Sequence, residues 1–176
     1  MNTADLRPKR FSFSLTVAQL RQLSEELQAM EQHPHTAAVP ADKLLERDRA
    51  GEQLATHVAL LVAETREADP GAWLHDSLPL LRSTAKYLFT ACDRCRRAAL
   101  RLALRALAAG HPEAQSAATA QVIAWDHAMR EISEQHGVTS PYRELVEPVE
   151  ASPDDLALLG LSRDHLVAGE ELLARF

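Results

Sequence analysis

Aromatic side chains are scarce in this sequence, at 5% of 176 residues, so a core has to be assembled mainly from Leu, Ala and Val. Cysteine is nearly missing. Cys92 and Cys95 are the whole complement, and two thiols three apart on a helix cannot staple a fold. That usage fits a reducing, cytoplasmic compartment. Long apolar runs are lacking too. Nothing approaches the roughly 18 residues of a membrane span, and the first thirty residues hold no apolar core of a secretory signal. Glycine-rich phosphate loops and alternating strand-helix units are also wanting, which removes the common nucleotide-binding frameworks. No internal repeat or low-complexity tract is present. What remains is a chain 46% hydrophobic and 25% charged, rich in Ala, Leu, Glu, Arg and Gln, the strong helix formers.

The patterning predicts an all-α fold, an antiparallel bundle of about four longer helices with short additional ones. One short extended segment is expected at the N-terminus. Residues 1–15 read as an arm, 16–137 as the bundle core, 138–151 as a linker, and 152–176 as a C-terminal helical hairpin packed on the bundle. Phe11, Phe13 and Leu15 alternate with Ser12 and Ser14, the period of a strand. Thr16 and Gln19 form a capping-box pattern, so a helix should begin at Val17. Its stripe is Val17, Leu20, Leu23, Leu27 and Met30, and His33-Pro34-His35 should end it. A second helix is expected from Pro40 to about Ala68, with Gly51 a weak point in its middle. Asp69-Pro70 and Trp73-Leu74 suggest a short helix broken at Pro79, with Ser77 as the next cap.

A third helix is expected from about Pro79 to Ala109. Leu81, Leu88, Cys95 and Leu102 repeat every seven residues, with Ala85, Cys92, Ala99 and Ala106 between them, a coiled-coil-like seam. Phe89, Leu100, Leu104 and Leu107 fall outside it. A helix apolar on more than one side is either central or a subunit contact, so a homodimer is expected. Gly110-His111-Pro112 marks a stop and a start. The fourth helix carries Ala118, Val122, Trp125, Met129 and Ile132 and ends at Gly137. Ser152 and Ser162 should cap two short C-terminal helices, the first ending at Gly160.

The net charge of −6 is uneven. Residues 82–105 hold seven bases, Arg82, Lys86, Arg94, Arg96, Arg97, Arg101 and Arg105, against Asp93 alone. Arg94, Arg97, Arg101 and Arg105 are spaced three, four and four and share one helical face, opposite the seam. Guanidinium groups grip carboxylates and phosphates with paired hydrogen bonds, so this row is the leading candidate for an anionic partner, an acidic protein ahead of DNA. The alternatives are a solvated face or internal pairing with acidic helices.

A second candidate is the run Lys9 to Leu20, which resembles the opening of ribbon-helix-helix repressors. In that family a short strand pairs across a dimer and lays alternate polar side chains in the DNA major groove. The resemblance covers about twenty residues and implies that Lys9, Arg10, Ser12 and Ser14 face nucleic acid. It departs downstream, where His33-Pro34-His35 replaces a tight glycine-containing turn. Asp155 to Leu166 is similar to the turn of a helix-turn-helix, with Gly160 at the turn, but Asp164, Glu170 and Glu171 would repel phosphates.

Other patterns carry less. Cys92-Asp93-Arg94-Cys95 has redox and zinc spacing, yet zinc needs four ligands and redox thiols a helix N-terminus, so buried core is the expectation. His127 and Glu131, with His57, could approach a metal only if further pairs faced them. No metal or cofactor is expected. Arg130 to His136, and equally Arg105 to His111, match the loose spacing of HEPN-type ribonucleases, a resemblance that implies RNA cleavage at a dimer interface. The reading is of a non-enzymatic interaction or regulatory module that self-associates. A DNA-binding regulator is the first alternative, and a HEPN-like nuclease or bundle metalloprotein the second.

Overall fold

The computed structural model describes residues 8–32 and 40–146. The two C-terminal helices, their helix-turn-helix-like turn, and His33-Pro34-His35 lie outside these. The described residues are mostly helical, with four longer helices as expected; the expected N-terminal extended segment is joined by a second strand in a small two-stranded antiparallel sheet. The order is β1 (Lys9–Thr16), α1 (Val17–Glu31), α2 (Ala41–Glu64), β2 (Trp73–Leu80), α3 (Arg82–Ala108) and α4 (Pro112–His136), then a short 3-10 turn at Arg143–Leu145. The described residues divide into two compact units, those within 8–96 together with 123–146, and 97–122.

The first unit begins where the alternation places it. Phe11, Phe13 and Leu15 are buried and Arg10, Ser12 and Ser14 exposed. Thr16 caps α1 through a reciprocal capping box. Its hydroxyl accepts from the Gln19 amide at 3.2 Å, and Gln19 Oε1 accepts from the Thr16 amide at 2.9 Å. The next orphan donors, Val17 N–H and Ala18 N–H, donate to the carbonyls of Ala72 and Pro70. All five stripe residues of α1 are buried.

β2 corrects the broken helix read over Trp73 to Pro79. It runs antiparallel to β1, with Thr16 opposite Trp73, Phe11 opposite Leu78 and Lys9 opposite Leu80. Leu78 and Leu80 join Phe11 and Phe13 in the core. Pro79 is itself exposed, between the buried Leu78 and Leu80, one residue from the end of a strand at the edge of a two-stranded sheet, where a missing N–H is tolerated. Ser77 caps nothing; its hydroxyl accepts from Arg10 Nε at 2.8 Å. Asp69 caps its own turn instead, accepting the Gly71 amide at 2.7 Å.

α2 ends at Glu64, earlier than Ala68, and Arg21 donates to the carbonyls of Thr65 and Arg66 at that negative helix end. Gly51 is not a weak point. A Cβ there would lie 2.6 Å from Tyr87 Cζ, so glycine is what lets the buried Tyr87 ring meet α2. The core of this unit adds Leu54 and Val58 from α2, Ala85, Leu88, Cys92 and Cys95 from α3, and Trp125 and Ile132 from α4. Leu81 and Leu102, the outer members of the expected seam, are exposed at 37% and 53%.

In the second unit α3 stops in a Schellman turn. Gly110 has φ +68°, its N–H donates to Leu107 O, and His111 N–H donates to Ala106 O. Gly137 ends α4 similarly, at φ +65°, with its N–H on Ser133 O.

Candidate functional site

The helical spacing that joins Arg94 to Arg97, Arg101 and Arg105 does not make them one surface. Arg94 turns inward. Its Nε donates to Glu26 Oε2 at 2.6 Å and its Nη1 to the Leu145 carbonyl at 2.5 Å, so it ties α1 and the 3-10 turn to α3. Charge-assisted bonds of this kind in a half-buried setting are structural ties. Arg97 and Arg101 are half-buried and Arg105 is exposed, all three in the second unit. The separate pair of Arg96 and Asp93 closes at 2.6 Å, with Asp93 only 2% exposed and Asp126 at 3.6 Å from Arg96.

Near Arg94 the chain after α4 is strapped to α3. Thr90 Oγ1 donates to Lys86 O at 2.7 Å and accepts the Tyr142 amide at 3.0 Å. Lys86 Nζ lies 4.5 Å from the Tyr142 ring centroid, a cation–π contact. Tyr87 packs on the same ring, and its phenol is pushed up to about 12, chiefly by burial and then by Glu31. The ties from α3 to Glu26, Leu145 and Tyr142 were not legible in helical spacing, because those partners are 51 to 68 residues away in sequence.

Lys9, Arg10, Ser12 and Ser14 are all exposed, but only Arg10, Ser12 and Ser14 share one face of the strand; Lys9 alternates with them on the side of Phe11 and lies opposite the buried Leu80. Ser14 Oγ lies 2.8 Å from His75 Nδ1, and Arg10 is held by Ser77, so β1 and β2 together present Arg10, Ser12, Ser14, His75 and Ser77 outward. The strand β1 finds its partner within its own chain. The ribbon-helix-helix resemblance implies a partner strand from a second copy.

The two cysteines are core residues. Cys92 and Cys95 are 2% and 0% exposed and unpaired. Burial, aided by Asp93, pushes the Cys92 thiol up to about 12; burial likewise raises Cys95, with Cys92 adding to it. Such thiols supply little thiolate at neutral pH. An apolar cavity of about 20 Å³ lies among Phe11, Leu20, Leu54, Val58, Cys92 and Ile132. It offers a water no polar partner and a larger ligand no room.

His127 is exposed and 3.7 Å from Glu131, whereas His57 lies 3.6 Å from Asp76. Among the described residues no group of three or more His, Cys, Asp or Glu is placed to hold a metal ion. Arg130 is exposed, while His136 is buried against Phe11, ring centroids 5.9 Å apart, with Nε2 unpartnered. Arg105 and His111 are both exposed. Among the described residues no helix is long and apolar enough to cross a membrane. No protein-family model, curated protein or solved structure matches the chain.

Proposed function

We propose that this chain is a non-enzymatic helical interaction or regulatory module of the cytoplasm that self-associates as a homodimer. One observation carries the reading. On the C-terminal half of α3, Leu107 is 48% exposed and Leu100 and Leu104 are half-buried, and by helical spacing the three share one side beside Arg97, Arg101 and Arg105. Clustered exposed leucines mark contact surfaces in folded proteins. The inward polar groups support the same view: Arg94, Glu26, Asp93, Arg96 and Thr90 are engaged in holding the fold. The cytoplasmic assignment rests on two buried free thiols. In this reading the helices form an antiparallel bundle with a C-terminal helical hairpin packed on it. Sedimentation at tens of micromolar, an order-of-magnitude choice suited to ordinary dimers, should show a dimer. Leu107→Lys should convert it to a monomer without unfolding. A monomeric wild-type chain would refute self-association.

A second reading is favoured by the outward face of the β1–β2 ribbon. A two-stranded ribbon has the width to enter a major groove, and here it carries Arg10, Ser12, Ser14, His75 and Ser77 outward. Trimming residues 1–15 would strip Phe11, Phe13 and Leu15 from the core, so point changes are the better probe. Salt-sensitive binding to duplex DNA, weakened by Arg10→Gln with Ser12→Asp, would favour this regulator. Binding indifferent to those changes would dismiss it.

A further inference from the structure

The register of the ribbon puts more on its outward face than polar side chains. Side chains alternate along a strand, so Arg10, Ser12, Ser14 and Thr16 share that face with their partners Pro79, Ser77, His75 and Trp73. Trp73 is 62% exposed, the only exposed Phe, Tyr or Trp among the described residues. None of the other positions on the face is a carboxylate, in a chain whose net charge is −6. The ribbon's one acid, Asp76, lies on the opposite face, 3.6 Å from His57.

The polar groups of this face are held in place. Arg10 Nε donates to Ser77 Oγ at 2.8 Å, which anchors the guanidinium across the two strands, and its terminal nitrogens bond no described residue. Ser14 Oγ lies 2.8 Å from His75 Nδ1. Ser77 stands four residues from Trp73, about 13 Å along the strand. At a stacked rise of about 3.4 Å that is no more than about four nucleotides. An aromatic platform and a cation on one acid-free face suit a base and a phosphate of the same strand. In a duplex both faces of an internal base are covered by its neighbours, so an indole has nothing to stack on until the strand is unpaired.

We propose that the outward face of β1–β2 binds single-stranded nucleic acid, with a base stacked on Trp73 and a phosphate on Arg10. Ser12 and Ser14 lie between the two and offer hydroxyls to sugar and phosphate. This rests on the premise, shared with the second reading above, that the ribbon face meets nucleic acid; it replaces the duplex with an unpaired strand.

Fluorescence of the full-length chain tests this, because Trp125 is fully buried and Trp73 is the tryptophan open to a base. An oligothymidylate of about 12 nucleotides, within the range of single-strand sites, should quench the Trp73 emission at low salt. By anisotropy of the labelled oligonucleotide, Trp73→Ala should weaken binding about tenfold or more, and an abasic strand of equal length should bind the wild type as weakly. Arg10→Gln should weaken binding and reduce the salt slope by about 0.7. Both substitutions fall at exposed positions, so circular dichroism should show the same helix content. Binding without quenching, or binding indifferent to Trp73→Ala, to Arg10→Gln or to loss of the bases, would overturn the proposal. Tighter binding to the duplex formed with the complementary strand would overturn it and leave the second reading standing. Binding to neither would end both.

Discussion

Replacing Gly51 by alanine pits two known effects against each other at one position. In the middle of an ordinary helix the change should stabilise by roughly 1 kcal/mol, because alanine gives up less backbone entropy. Here the new methyl would lie 2.6 Å from Tyr87 Cζ, 2.8 Å from its Oη and 3.0 Å from Cε2, all inside contact distance. The ring cannot swing away freely. It is 2% exposed and packs against Tyr142, ring centroids 6.4 Å apart. Forcing extra volume into a packed site costs about 1–3 kcal/mol; set against the gain of roughly 1 kcal/mol, Gly51→Ala should lower stability by up to about 2 kcal/mol. Tyr87→Phe should not rescue it, since Cζ remains. Tyr87→Leu removes every atom that clashes. It carries its own cavity cost, but in that background Gly51→Ala should raise stability by about 0.5–1 kcal/mol. Urea denaturation of the four proteins measures the cycle. A stabilising Gly51→Ala in the wild type, or no change of sign in the Tyr87→Leu background, would refute the argument.

Replacing Cys92 and Cys95 together by alanine should cost about 1–3 kcal/mol, and the folded wild type should react slowly with thiol reagents; rapid labelling would contradict their burial. Thr90→Val leaves the Tyr142 amide without its acceptor and should cost about 1–3 kcal/mol, with faster exchange confined to residues near 142–145; an unchanged exchange rate there would refute the strap. His136 has its pKa lowered from 6.5, first by burial and then by Lys9. The unfolded chain therefore takes up its proton first, and stability should fall as pH drops below about 6.5 toward the folded value. His136→Leu should flatten that decline in urea midpoints between about pH 7.5 and 5.5, by the same linkage; an identical pH slope in both proteins would show that other groups set it.

The parts read correctly from sequence are those whose cause is local. Thr16 and Gln19 lie three apart and cap the helix they announce, and the Phe11–Phe13–Leu15 alternation needs no knowledge of its partner. β2 was obscured because Asp76 interrupts the inward row of Leu74, Leu78 and Leu80, and Pro79 imitates a helix start. Gly51 was misjudged because its reason is a ring thirty-six positions away. The candidate site shows the same division. Helical spacing aligned Arg94 with Arg97, Arg101 and Arg105, but only the fold brings Glu26 and the Leu145 carbonyl to Arg94. Ser14 and Arg10 were expected outward and are, whereas His75 and Ser77 joined them through a pairing that no local signal marks.

The pairing of β1 with β2 also sets an order of events. Thr16 meets Trp73 and Lys9 meets Leu80, contacts 57 and 71 residues apart in the chain. Closing a flexible loop of that size from the open chain costs about 3.5 kcal/mol before any strand bond forms. The intervening residues are not a flexible loop once α1 packs on α2. That helical pair forms from nearer contacts and brings the ends of the two strands together, with the α1 amides of Val17 and Ala18 poised for Ala72 and Pro70. The sheet should therefore be the late-zipping element in refolding. Core substitutions in the α1–α2 pair, such as Leu27→Ala, should slow folding, while Phe13→Ala in β1 should act mainly by hastening unfolding.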